Sequence, residues 1–211
     1  MKHIAAQLSL LLVLVSLSVV PAPAAAQDIA RRVRVEARMQ AASIYYATDD
    51  VAGRDVGANV GGGSFGGLSG RSGIGGLSAA GIGYAIDDHW VPSLAGSISR
   101  ADDGPGSDTS SWSVQPSLSY VFSSGQAMRP FVTAGVGYGS SSLGGLDFTS
   151  LGGTLRSGMQ FHVVDHLSIE PYAQLQYAYN KQEGGNVGVV VAESVTHVVQ
   201  LAGGFMIALW I

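Results

Sequence analysis

The chain has 211 residues, a net charge of −4, no cysteine and 30 glycines, and only 12% of its residues are charged, about half the share of an ordinary soluble domain. Lack of cysteine excludes disulfides, thiolate metal sites and a cysteine-anchored lipoprotein. The acidic balance gives no cluster of Lys and Arg with which to bind nucleic acid.

Residues 1–26 read as a secretory signal peptide. Lys2 and His3 make a short basic start, Ile4 to Val20 is almost wholly apolar, and Ala24-Ala25-Ala26 supplies a small-residue cleavage site before Gln27. Residues 27–211 are enough for one domain and contain no further run of about 18 apolar residues, so no transmembrane helix is expected there.

Beyond Gln27 the chain is a series of segments with period two. Arg32 to Tyr46 alternates Val33, Val35, Ala37 and Met39 against Arg34, Glu36, Arg38 and Gln40, and reads as a first strand. Residues 47–72 form a glycine-rich loop, of which Val56 to Phe65 could extend the first hairpin; its Gly61–Gly66 run lacks the strand–helix context of a dinucleotide site. A second strand runs from about Gly73 to Ile86, a turn comes at Asp87-Asp88-His89, and the third strand is Trp90 to Arg100. The hairpin between Ser110 and Ser142 supplies strands four and five, with Trp112, Val114, Leu118, Tyr120 and Phe122 facing one way and serines the other. Pro116 sits mid-strand, cannot donate to a ladder, and is expected to mark a bulge. Strands six and seven are Phe148 to Val164 and Leu167 to Tyr179, and Val195 to Ile211 is the eighth.

These strands join in hairpins whose connections alternate short (87–89, 123–129, 165–166) and long (47–72, 101–109, 141–147, 180–194). That wiring, with strands exceeding the roughly 9–11 residues needed to cross a bilayer, predicts an all-β fold: an eight-stranded antiparallel up-and-down transmembrane barrel. Closure also removes the strand edges that lipid would not tolerate. Aromatics test the reading independently. Tyr84, Trp90, Tyr120, Phe122 and Phe161 fall near short turns, whereas Tyr45, Trp112, Tyr138, Tyr177 and Tyr179 fall near long loops, giving two interfacial girdles. A soluble eight-stranded barrel would put polar residues outside and a greasy cavity inside, the opposite of this pattern.

The RVRVEARMQ start, the GIGYAIDDHWVPSLAGSISR hairpin, the MRPFVTAGVGYG strand and the VVDHLSIEPYAQLQY hairpin resemble the small eight-stranded outer-membrane β-barrels of the outer-membrane protein A and W type. The resemblance covers essentially all of residues 27–211 and implies an OmpA-like, porin-like protein of a Gram-negative outer membrane. It implies contact with outer-membrane lipid and lipopolysaccharide, a monomeric barrel, and recognition of the last strand by the barrel-assembly machinery. Phe205, Ile207, Leu209 and Ile211 provide that strand's alternation, although the final residue is Ile and Trp210 takes the inward phase.

Inward positions of strands two to five are nearly all Gly, Ala, Ser or Thr, while strands one, six and seven turn Arg34, Glu36, Arg38, Arg156, Gln160, His162, Glu170 and Gln174 inward. An eight-stranded barrel is just wide enough to be filled by its own side chains, so these residues are expected to form a polar network plugging the lumen. The same groups could instead line a narrow channel for small or hydrophobic solutes. A lipid-A-modifying hydrolase is a further alternative: His197 lies on the outward phase near Glu193 and Ser194, but residue 199 is Val where a nucleophilic serine would be needed. No metal-ligand spacing appears and no cofactor is implied, so the expectation is a structural or surface-interaction protein, not an enzyme.

Overall fold

Among the described residues the alternating segments become nine antiparallel strands: β1 (Val33–Asp49), β2 (Gly53–Val60), β3 (Leu77–Tyr84), β4 (Trp90–Ala101), β5 (Thr109–Val121), β6 (Met128–Leu143), β7 (Leu146–Val164), β8 (Leu167–Glu183) and β9 (Ser194–Trp210). The computed structural model describes residues 29–49, 53–60, 77–101, 109–122, 128–143, 146–183 and 194–211. The expected signal peptide and the Gly61–Gly66 run lie outside the described residues.

Nine segments make eight staves, because β2 and β3 share one. β2 pairs with the second half of β1, from Ala42↔Val60 to Asp49↔Gly53, and β3 pairs with its first half, from Val33↔Tyr84 to Met39↔Leu77. The expected second strand at 73–86 is thus only the turn-side half of its stave. Neighbouring strands pair in sequence order through β9, and β9 pairs back onto β1 from Arg34↔Trp210 to Asp49↔Thr196. The sheet is closed, and its long ladders meet most backbone donors and acceptors within the wall, as a spanning strand requires.

Two expectations about the wall need correction. Residues 141–147 are not a long loop: pairing continues through Ser142↔Asp147 and Leu143↔Leu146, so the ladder of β6 and β7 runs on through this stretch. Pro116 makes no bulge. It pairs with Leu94 on β4, and the β5–β6 ladder skips it while keeping register between Val114↔Tyr138 and Ser117↔Gly135. The missing N–H removes ladder contacts on one side without inserting a residue.

The wall faces two media. Leu94, Leu118, Val136, Leu151, Leu155, Leu175 and Leu201 are exposed outward, and Ile98 is 90% exposed. Polar groups such as Glu36, Arg156 and Glu170 are buried inside. Cross-strand hydroxyl pairs explain the small polar face of β4 to β6: Ser93–Ser117 at 2.9 Å, Ser97–Ser113 at 2.7 Å and Ser119–Thr133 at 2.7 Å. At the turn after β3, Asp87 Oδ1 accepts from the backbone N–H of Trp90 (2.7 Å) and His89 (2.8 Å), and these bonds hold its carboxyl below the usual aspartate range.

Glycine is used where an interior side chain crosses. A Cβ on Gly204 would lie 2.8 Å from the Tyr172 hydroxyl and 2.9 Å from its ring, and would also press on the Met39 carbonyl. Gly204→Ala is therefore expected to destabilise the barrel by about 1–3 kcal/mol, read as a lower urea midpoint in lipid vesicles; an unchanged midpoint contradicts this packing.

Candidate functional site: the barrel interior

β1 opens the interior with three charged side chains on alternate residues. Arg34, Glu36 and Arg38 are each 3% exposed. Glu36 pairs with Arg34 Nε at 3.2 Å and with Arg38 on its other side, where Arg38 Nε donates at 2.6 Å. Gly81, opposite Glu36 on β3, makes room for it: a Cβ there would sit 3.0 Å from Glu36 Oε1. Arg34 then reaches across to β8, where its Nη2 donates to Glu170 Oε2 at 2.7 Å. Glu170 is fully buried, and its other oxygen accepts from Gln160 (2.9 Å) and Ser168 (2.8 Å). Each carboxylate is held by charged or polar donors, without which burial would be prohibitive.

Arg156 and Gln174 are neighbours on β7 and β8; Arg156 donates to Gln174 Oε1 from Nε (3.2 Å) and Nη2 (3.0 Å), and its guanidinium lies 4.9 Å from the Tyr172 ring centroid. Arg38 also reaches Gln115 on β5 at 2.6 Å, and Gln115 continues to Thr154 at 2.8 Å. His162 is buried on β7, its ring 6.3 Å from that of Trp210. So the eight expected lumen residues all lie on the inner wall; Arg34, Glu36, Glu170, Gln160 and Arg38 share one connected set of bonds, and Arg156 with Gln174 form a second.

An apolar layer that the alternation does not reveal lies beneath this one. Ile29, Ala85, Val91, Val121, Phe131, Met206, Ala208 and Trp210 form a single buried cluster. Arg31, with φ 62°, turns the chain so that its N–H bonds to the Ala85 carbonyl at 2.8 Å, while Ile29 is fully buried. Trp210 roofs the cluster: its Nε1 donates to Ser168 at 3.0 Å and Arg34 stacks on it at 5.2 Å. Arg129, also fully buried, is a second residue that the sequence reading missed. Phe131 and Arg129 share the parity of inward Thr133, which was the available signal.

Outside, the short-turn girdle is a connected aromatic set: Trp90–Tyr120 at 4.8 Å, Tyr120–Phe122 at 5.2 Å and His89 stacked on Tyr120 at 5.5 Å. Tyr84 is exposed beside it, and Phe161 is half-buried on β7. At the long-loop end Trp112 meets Tyr138 at 5.6 Å, and Tyr177 and Tyr179 flank His197. Tyr45 is a correction. The β1–β9 register shifts between Gln40 and Ala42, so Tyr45 pairs with inward-facing Gln200 and Tyr46 takes the outward position.

The charged layer has a measurable weight. Glu36→Gln removes the carboxylate that Arg34 and Arg38 share, leaving Arg34 only its pair with Glu170, and should destabilise the barrel by about 3–5 kcal/mol, measured by urea unfolding in vesicles; a shift no larger than that of an exposed-charge substitution contradicts the network.

Comparison with known proteins bears on the whole chain. The family model described as "Outer membrane protein beta-barrel domain" matches residues 12–193. The solid-state NMR structure of outer membrane protein AlkL in DMPC lipid bilayers aligns with a TM-score of 0.58 at 14% identity, covering 90% of this chain and 94% of that one. Neisserial surface protein A (NspA) aligns at 0.43 with 18% identity over 82% of this chain and 95% of its own. The Pseudomonas aeruginosa protein OprG aligns at 0.45 with 13% identity over 85% and 97%. No curated protein matches in sequence. The closed eight-stave wall, its greasy exterior and the family match converge: the chain belongs to the outer membrane protein beta-barrel domain family and is a barrel of the Gram-negative outer membrane.

Proposed function

We propose that this barrel has a structural or surface-interaction role, with a plugged lumen and no enzymatic activity. The observation that supports the reading is the stacking of two buried layers, Arg34–Glu36–Arg38–Glu170 above the apolar cluster around Trp210 and Ile29. Between them they occupy the inner face at the short-turn end, where Ser168 and Glu170 have no exposure. Outer-membrane lipid and lipopolysaccharide meet the apolar wall between the aromatic girdles. The barrel-assembly machinery would read the exposed Phe205, Ile207 and Leu209 of β9, after export and cleavage at Ala26, and the product acts as a monomer. The non-enzymatic reading is supported at His197. Its Nδ1 lies 2.7 Å from the Tyr177 hydroxyl, and the outward residue two positions on is Val199, not a nucleophile.

A second reading, a narrow channel for small or hydrophobic solutes, is favoured by one seam. β3 and β4 pair only from Ala80↔Gly96 to Gly83↔Ser93, and among the described residues the outer part of β4 has register partners in β5 alone. A solute leaving sideways into lipid would pass there. Single-channel recording in planar bilayers decides between the two. The plugged barrel should show no stable conductance, and a steady current of nanosiemens size overturns it.

A further inference from the structure

The charged layer is not neutral. Arg34, Arg38 and Arg156 face two carboxylates, Glu36 and Glu170, and both carboxylates are engaged by Arg34 and Arg38. The surplus charge falls on Arg156. Its side chain is 3% exposed, and among the described residues no carboxylate lies within ion-pair distance of it. Nε and Nη2 both spend their hydrogen bonds on one neutral oxygen, Gln174 Oε1, and Tyr172 covers one guanidinium face. The Nη1 donors have no protein acceptor among the described residues. A buried cation with only a carboxamide opposite it is an incomplete pair.

The approach to Arg156 is built for a polar guest. Gln174 and Gln115, the neighbours of the Arg156 and Arg38 guanidinium groups, are half-buried, as are Ser97, Ser111 and Ser113 on the wall above them. Below, Ser168 and Glu170 are fully buried. On β7 to β9 the inward residues Gln176, Asn180 and Gln200 at and above this level are buried, so the opening toward Arg156 runs along the β4 and β5 side. Beside Arg156 the neighbouring β6 stave carries no side chain at Gly135, where a Cβ would lie 3.1 Å from Thr154 Oγ1 and 2.9 Å from Ser117 Cβ.

We infer that the β4–β5 side of the outer lumen holds a narrow blind vestibule whose floor binds a small oxyanion, a carboxylate or a phosphate group, on Arg156. The planar guanidinium offers donors suited to two parallel bonds with such a group, and neighbouring hydroxyls and carboxamides can donate to its remaining oxygens. This rests on the closed-floor reading above. The site would serve for recognition or retention of an acidic solute at the cell surface, without passage.

The test is an NMR titration of the detergent-refolded barrel with sodium acetate and, separately, inorganic phosphate, at constant ionic strength. The backbone amides of Thr154 and Gln174 should shift saturably, and whichever probe saturates at lower concentration identifies the preferred anion. Arg156→Gln should weaken binding at least tenfold, and Arg156→Lys less. Gln174→Glu is the variant that keeps the cation and supplies its missing carboxylate from within; it should abolish the titration while raising the urea midpoint. A linear, non-saturating response in the native protein, or saturation unchanged in Gln174→Glu, overturns the site. Because the titration does not depend on conduction, a non-conducting barrel without saturable shifts removes the anion site and leaves the plug standing, whereas a steady conductance removes the closed floor and with it the blind vestibule.

Discussion

A carboxylate inside a lipid-jacketed cylinder cannot borrow water from outside the wall, and Glu36 shows how this chain meets that constraint. It stands between two arginines of its own strand, held at 3.2 Å by Arg34 Nε and on the other side by Arg38, with Gly81 clearing the space that its carboxylate occupies. From Arg34 the network crosses to Glu170 on β8 and from there to Gln160 on β7. The Arg34–Glu170 bond spans the β1–β9 closure and exists only when the barrel is closed, while Glu170 and Gln160 join the adjacent staves β8 and β7. The pairs raise the cost of any opening, because separating them strands charges in a medium of low dielectric.

That internal cross-bracing depends on an uneven division of side-chain size. β1, β7 and β8 carry most of the long polar residues, and β3 to β6 answer mainly with Gly, Ala, Ser and Thr, apart from Gln115, Arg129 and the apolar Val91, Val121 and Phe131. The small wall is not passive. Its hydroxyls pair with one another across strands, Ser97 with Ser113 and Ser119 with Thr133, so the face opposite the arginines is satisfied before any long side chain arrives. Beneath, Trp210 couples the polar and apolar layers through a single ring. Its N–H bonds to Ser168, one face receives Arg34, and its bulk joins Phe131 and Met206. The last strand thus contributes both an outward greasy face, with Phe205, Ile207 and Leu209, and the inward residue that joins the buried cluster.

Strand identity, inward and outward parity and the two girdles were legible because a barrel strand meets two solvents and records them on alternate residues. Arg34, Glu36, Arg38, Arg156, Gln160, His162, Glu170 and Gln174 carry that record directly. Where parity is interrupted it misleads. Tyr45 reads as outward from Val33 and Val35, and the extra residue between Gln40 and Ala42 turns it inward. The inward apolar layer escaped notice for a related reason: Val91, Val121 and Phe131 are greasy on the face expected to be polar, and no local rule announces that the mouth of a small barrel fills with hydrocarbon.

By itself the sequence determined that this is a chain of amphipathic strands, wired in hairpins, with charge confined to one face of a few of them. Those properties are local, written in composition and period two. Only the closed wall decided that β2 and β3 complete one stave, that Pro116 leaves the register intact, that Ile29 lies under Trp210, and which carboxylate each arginine receives. These are contacts between residues far apart in the chain, and their geometry is set by how many staves close and with what register. The unmatched Arg156 belongs to the same class, since a surplus charge is visible only once every partner has been assigned.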